Sequence, residues 1–389
     1  MVPDQSKIPH LSAGWYVLDD LGSTHPACVT NILFSSLGAR MKRPIKPFRV
    51  SVVQCRGTPY EVGRAQARLF AMTPKGRAFL RSKTTRFPWW FKRQAEHRMF
   101  AKFAPVLWEE LAGPADELGI PMEQAAFRFG NDGMRPPIGG CSAAMTAGVY
   151  GRNYDFRPRY YGAQFVLLQA RGSYASVGSS HQLTGRLDGM NEHGLTIGLH
   201  QVKQSPRFPG LSADLIVRIV LDQCATTADA VEKLRQLPHA MQYNYSLLDA
   251  GGVASVVESG PGAVGARSGA WLACTNHFQS ALLRPLNDRR RAAHSQQRLP
   301  PLEAWASAGL RAEQMFAALN RSTSPGMAGE DLPVSHLEGQ LGGMSKPVEW
   351  PPRRRKKKAG KPARQRSGLS RSPCPRDTVR ASGCGSRRR

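Results

Sequence analysis

Residues 139–156 read GGCSAAMTAGVYGRNYDF. Two glycines stand directly before a cysteine, and an arginine and an aspartate follow within one strand-turn-strand length. If the chain runs out from Cys141 as a strand, turns, and returns as GRNYDF, then Arg152 and Asp155 lie beside the start of the first strand. A thiol reacts as its thiolate, and a nearby guanidinium stabilises that form. A lone cysteine is more often a small buried hydrophobe, and an isolated Arg-x-x-Asp is more often a surface ion pair. The weight here comes from all three residues in one hairpin behind a flexible glycine pair.

Outward from this hairpin the texture changes on both sides. Upstream, Val50, Val52 and Cys55 alternate as a strand, and from Tyr60 to about Leu118 apolar residues recur at spacings of three and four, which predicts two or three helices. Pro136, Pro137, Gly139 and Gly140 then break the chain. Downstream come short strand-like runs between turn signals: QFVLLQARG, YASVGSS, LTIGLHQV, NYSLLDAGG and VASVVESG. LSADLIVRIVLDQCATTADAVEKLRQL reads as two helical segments capped by Ser212 and Thr227. LDGMNEHGLTIG reads as a hairpin turning at Asn191 to Gly194. Strands, helices, then strands predict an α+β domain with helices packed on antiparallel sheets.

The chain has 389 residues, 41% of them hydrophobic, enough for a substantial core. Its net charge of +26 suggests a nucleic-acid binder until the charge is located. Residues 353–389 hold fifteen Lys or Arg against the single acid Asp377, a net +14 in a Pro/Ser/Gly-rich segment unable to bury a core. A second reading therefore exists, in which the RRRKKK run at 353–358 neutralises phosphates. Seven widely spaced cysteines (Cys28, Cys55, Cys141, Cys224, Cys274, Cys374 and Cys384) in a chain of this size point to a reducing, cytoplasmic setting. No apolar run approaches the roughly 18 residues of a membrane span.

The chain has no G-x-S-x-G elbow, H-E-x-x-H, P-loop or C-x-x-C pair. His181, His193 and His200 fit no ordinary zinc spacing and read as surface or strand histidines. A nucleophile without a histidine partner in view can use its own α-amino group as base. That group has a pKa of about 7.7 to 8.0 and would exist only after the Gly140-Cys141 bond is cut.

GGCSA, then GRNYDF, LTGRLDGMNEHGLTIGLH, YNYSLLDAGGVASVVE and ACTNHF, in that order, resemble the N-terminal-nucleophile (Ntn) amidohydrolases of the choloylglycine hydrolase and penicillin V acylase type. The branch most resembled is peptidase family C45, the acyl-coenzyme A:6-aminopenicillanic acid acyltransferases. The likeness runs from about Arg49, where VSVVQCRGTPYEVGRAQA matches the branch's beginning, to about Arg298. It implies a four-layer αββα sandwich with an N-terminal helical prosegment over residues 41–140 and a core over 141–320. It implies that Cys141 attacks the carbonyl of Gly140, that the ester is hydrolysed, and that the freed cysteine then serves as nucleophile on a linear non-peptide amide. The small Gly140 suits this, since a glycine leaves its peptide unhindered.

The same resemblance gives Asp155 the task of orienting the amine and Arg152 that of meeting thiolate and substrate. It places Asn191, through its backbone N–H and neighbourhood, and Asn244, through its amide, at the oxyanion. Arg298 matches an S-x-x-R arginine, and Asn276 and His277 hold the site's architecture. Phe156, Tyr160 and Tyr161 are candidates for an apolar acyl pocket. The implied partner is a small-molecule amide or acyl-CoA; neither a metal, an organic cofactor, nucleic acid nor a membrane is called for, and a homo-oligomer stays open. Residues 1–40 read as an extension outside the family pattern, with Met41 an alternative start. Residues 321–389 lack the closing strands such proteins carry, as though read out of frame, so an inactive homologue is a further reading.

Overall fold

The computed structural model describes residues 15–19, 27–34, 48–81, 93–131, 140–155, 164–181, 183–203, 209–260 and 262–321. The strands are β1 (Trp15–Asp19), β2 (Ala27–Phe34), β3 (Phe48–Gly57), β4 (Gly140–Thr146), β5 (Val149–Asp155), β6 (Gln164–Ala170), β7 (Ser176–His181), β8 (Gly185–Arg186), β9 (Asp188–Asn191), β10 (Thr196–Lys203), β11 (Gln242–Leu248), β12 (Ala254–Gly260), β13 (Ala263–Gly269) and β14 (Leu272–Cys274). The helices are α1 (Pro59–Met72), α2 (Pro74–Arg81), α3 (Arg93–Phe103), α4 (Pro105–Leu118), α5 (Met122–Ala125), α6 (Ala213–Gln223), α7 (Thr227–Gln236), α8 (Arg289–Ser307) and α9 (Ala312–Arg321).

Two sheets result. The larger runs β1-β2-β3-β6-β7-β9-β10-β11-β12-β13, with β8 beside β7, and the smaller runs β14-β4-β5. Helices α6 and α7 cover one face of the large sheet, β4 and β14 lie against its other face, and α8 and α9 cover the small sheet. These are four layers, helix-sheet-sheet-helix, in an α+β fold. Sequence alternation explains the stacking. Ala143 and Met145 of β4 meet Leu248, Ala254 and Val256 between the sheets, while Ala144 meets Leu299, Leu302, Ala306, Met315 and Leu319 on the outer side.

Three details depart from the sequence reading. The pair β3–β6 is parallel within an otherwise antiparallel ladder, because the helices and the β4–β5 hairpin intervene and return the chain in the same direction. The span from Tyr60 to Leu118 holds four helices among its described residues, since Pro74 and Pro105 each restart one. For α7 the cap is Thr226, not Thr227: its hydroxyl accepts from Asp229 N–H while Asp229 reaches back, a reciprocal box. Ser212 occupies the N-cap of α6, where its side chain makes no capping hydrogen bond to the helix.

The segment before Cys141 is built into the domain. Strand β3 sits inside the large sheet, and α1 crosses α4 so closely that a Cβ on Gly63 would run into the Glu110 backbone. Beneath this crossing Arg218 of α6, fully buried, bonds Glu110 of α4 at 2.7 Å and Asp222 at 2.8 Å. Gln66 of α1 donates to the same Glu110 at 2.8 Å. No described helix is long and apolar enough to cross a membrane. The expected extension at 1–40 includes two described strands, β1 paired to β2 and β2 paired to β3. The expected basic tail lies outside the described residues, as do Phe156, Tyr160 and Tyr161.

Candidate active site

The opening stretch forms the hairpin expected of it. Strands β4 and β5 pair with Gly140 opposite Asp155, Cys141 opposite Tyr154 and Ala143 opposite Arg152. Gly148, at φ 76°, makes the turn that a side chain would strain. Asp155 is thus placed across from the residue before the cysteine; its side chain lies outside the described residues.

Cys141 is 1% exposed and not in a disulfide. Its backbone is held at both ends. The Cys141 N–H donates to Asn276 Oδ1 at 2.7 Å, and the Cys141 carbonyl accepts from Arg298 Nη1 at 2.9 Å. Arg298 also donates to Ser142 Oγ and, through Nη2, to Asn276 Oδ1 at 2.7 Å. One guanidinium and one amide therefore clamp Cys141 and Ser142, the second and third residues of β4. Asn276 is anchored in turn: Nδ2 donates to the Gln201 carbonyl at 2.9 Å and its N–H to Ser295 Oγ at 2.7 Å. His277 Nδ1 lies 2.8 Å from the same Ser295 hydroxyl, so the S-x-x-R pair, Ser295 and Arg298, grips ACTNHF and Cys141 from one turn of α8.

Arg152 is fully buried. It forms an ion pair with Asp188, donates from Nη2 to the Leu199 carbonyl at 2.6 Å, and lies 4.8 Å above the Tyr154 ring. Asp188, in the same DGMNEHG run that drew attention to Asn191, is the counter-charge the sequence reading missed. An acid three residues ahead of a turn asparagine carries no local signal of pairing with an arginine 36 residues away.

The two asparagines are placed differently from each other. Asn191 Oδ1 accepts from His193 and Leu195 N–H groups, and Nδ2 donates to the Leu221 and Cys224 carbonyls. Its backbone N–H donates to the Leu195 carbonyl at 3.0 Å. It knits the β9–β10 turn to the end of α6 and is not among the groups bonded around Cys141. Asn244 is in register with His200 across β10–β11 and donates to the Thr275 and His277 carbonyls at 3.1 and 2.8 Å. It thereby fixes the two residues flanking Asn276, while its buried Oδ1 has no hydrogen-bond partner.

His200 is the strand histidine that joins this centre. It is fully buried, with Nε2 2.8 Å from Ser246 Oγ. Burial, then the charges of Arg152 and Arg298, hold its pKa well below the usual histidine value, with the Cys141 backbone pulling the other way. The imidazole is therefore neutral at physiological pH. By contrast, burial pushes the thiols of Cys55, Cys224 and Cys274 up to about 12, which removes them as nucleophiles near neutrality.

Residues 143–327 match the profile of the family described as acyl-coenzyme A:6-aminopenicillanic acid acyl-transferase. The match begins just after Cys141 and includes Arg152, Asn191, Asn244 and Arg298. The structure is similar to penicillin V acylase from Agrobacterium tumefaciens (23% identity, TM-score 0.26, 49% of this chain and 61% of that one). It is also similar to the N-acylethanolamine-hydrolyzing acid amidase ortholog of Caenorhabditis elegans (16% identity, TM-score 0.33, 49% and 88%). A third likeness is to the conjugated bile acid hydrolase of Clostridium perfringens (13% identity, TM-score 0.23, 34% and 52%). The matched part covers less than two thirds of the penicillin V acylase chain. No curated protein sequence matches. The resemblance read from GGCSA, GRNYDF and their followers is thus repeated by the family profile over residues 143–327.

Proposed function

We propose that this chain is an Ntn cysteine amidohydrolase or acyltransferase that cuts itself between Gly140 and Cys141 and then works through the freed N-terminal cysteine. The observation that carries the proposal is the clamp on Cys141, whose N–H is held by Asn276 Oδ1 and whose carbonyl is held by Arg298. Cutting the Gly140-Cys141 bond turns that amide nitrogen into an α-amino group already facing an acceptor. A fixed amine beside its own thiol is a general base in place.

In the cut form, the amine takes the thiol proton and the sulfur attacks the carbonyl of a linear, non-peptide amide. The leaving amine is protonated, and water or an acceptor amine resolves the thioester. Arg152, held by Asp188, supplies positive charge to the thiolate and substrate. Asp155 joins Asn276 in orienting the amine. Asn244 is assigned the oxyanion donor's role, its Nδ2 exchanging one of the bonds it gives to the Thr275 and His277 carbonyls for one to the oxyanion. The part proposed for Asn191 is exercised through the β9–β10 turn it holds. Losing one oxyanion donor typically costs about 2.7 to 4 kcal/mol in the barrier. Self-cleavage uses the same thiol against Gly140, forming a thioester that water opens.

The test is release of amine from a panel of N-acyl anilides and N-acyl amino acids by the purified protein. Turnover that disappears in Cys141→Ala and after alkylation of the N-terminal cysteine supports the proposal. Turnover undiminished by either treatment would remove Cys141 from the mechanism.

A further inference from the structure

A cavity of about 270 Å³ opens where the end of α3 and the start of α4 meet the β6–β7 turn, the end of α6 and the last turn of α7. Lys102 reaches it from α3 and Lys233 from α7. Lys102 is exposed and Lys233 half-buried, and among the described residues neither pairs with a carboxylate. The acid in the wall, Asp222, is buried and bonded to Arg218 at 2.8 Å, so its charge is already answered. Two cations brought to one hollow repel each other unless an anion lies between them. Hydrogen-bond accounting points the same way. The Phe103 and Asp222 carbonyls are taken, by Gln223 Nε2 at 2.8 Å and by the Tyr174 N–H at 3.0 Å. Donors remain: both ammoniums, the Ser173 hydroxyl, and the Val106 N–H at a helix start without a side-chain cap. The other side of the cavity is apolar, with Phe103 and Pro105 in its wall and the Lys102 ammonium 5.0 Å from the Phe103 ring centroid.

We propose that this cavity binds a small phosphate monoester, with its phosphoryl oxygens between Lys102 and Lys233 and its carbon body against Phe103 and Pro105. A phosphoryl dianion answers both ammoniums, where a carboxylate answers one, and its oxygens can also accept from Ser173 and Val106. The volume sits near the lower end of small-ligand sites, about 300 Å³. It has room for a phosphoryl group and a short carbon body, not for a long acyl chain. Helices α3 and α4 precede Cys141 in the chain, whereas α6 and α7 follow it. A ligand here therefore ties the two parts together, adding to the Arg218–Glu110 ion pair that already joins α6 to α4. The site is a property of the fold and does not depend on whether the chain cuts itself.

The experiment is calorimetric titration of the full chain with phenyl phosphate and with inorganic phosphate at fixed ionic strength, beside thermal unfolding with and without each. Phenyl phosphate should bind one to one and raise the unfolding midpoint, as a ligand of the folded state does. It should bind more tightly than inorganic phosphate, because its ring also covers the apolar wall. Lys102→Gln and Lys233→Gln should each weaken it about tenfold to a hundredfold, the range of a lost charge-assisted hydrogen bond. Lys102 is exposed, so its replacement leaves the core intact and carries the test alone if Lys233→Gln fails to fold. Replacing Lys356 and Lys357 of the basic tail by Gln should leave the affinity unchanged, and Cys141→Ala should bind as the wild type does. Wild-type affinity in both cavity variants, loss of binding in the tail variant instead, or no binding by the wild type would each overturn the site.

Discussion

Two buried arginine centres lie in this domain, and they are built to opposite ends. At the first, Arg218 meets Glu110 at two nitrogens, Asp222 through Nε and the Thr184 carbonyl, with Gln66 closing the remaining side of Glu110. Burial alone would lower the Arg218 pKa, but Asp222 and Glu110 outweigh it and raise it. At the second, Arg152 and Arg298 spend most of their bonds on backbone carbonyls, an amide and a hydroxyl, with Asp188 the carboxylate paired to Arg152. Beside them lies a buried atom with no hydrogen-bond partner, Asn244 Oδ1. A network with every position filled holds helices together; one with positions left over can meet a changing charge.

The contrast is sharpened first by breaking the reactive centre. Arg298→Ala removes the donors to the Cys141 carbonyl, Ser142 and Asn276 together, and should slow self-cleavage by two to three orders of magnitude, about 3 to 4 kcal/mol in the barrier. Thermal unfolding of the uncut variant should stay close to that of an uncut Cys141→Ala reference, because Arg298 is partly exposed. A large fall in stability with cleavage intact would make Arg298 a fold residue.

Glu110→Gln should do the reverse. It leaves Arg218 buried with half its counter-charge, at a cost of about 3 to 5 kcal/mol, read as a drop in the urea midpoint. Glu110 lies before the cut and Arg218 after it. The two pieces should therefore co-elute after cleavage and part only in denaturant, and the mutation should make them separate more readily.

Acid should find the reactive centre's weakness. His200 is depressed in the fold and titrates near 6.5 when unfolded. Its contribution is whole above about pH 6.5 and is lost as pH falls below that, at about 1.4 kcal/mol per pH unit. Asp222, raised chiefly by burial against the pull of Arg218, works in the opposite sense. The slope of stability against pH from 6.5 to 5 should be shallower in His200→Gln than in the wild type, and equal slopes would place His200 outside the titration. Smallest of all, Thr226→Ala removes the α7 cap, far from both centres, and should cost about 0.5 to 2 kcal/mol without altering cleavage.

These two centres were not equally legible in the sequence. The hairpin that carries Cys141 and Arg152 is local, so alternation and turn glycines reveal it, and the register of Cys141 with Tyr154 follows. Arg298 could be suspected only by resemblance, because it reaches Cys141 from α8, 157 residues later. That helix hides itself, since Pro300 and Pro301 lie within it and read as breakers. Asn191 drew attention through its motif, yet its bonds serve the turn; Asp188, three residues earlier, faces Arg152. His200 looked like one of several strand histidines because burial against two guanidiniums is a property of packed layers. The Arg218–Glu110 pair was invisible for the same reason, joining residues 108 apart on two helices.

The central claim is that Cys141 cuts the chain in front of itself, and intact-mass spectrometry of the purified protein beside Cys141→Ala tests it most directly. The account predicts two pieces in the wild type, one ending at Gly140 and one beginning at Cys141, and a single 389-residue chain in the variant. One uncut chain in both would contradict it.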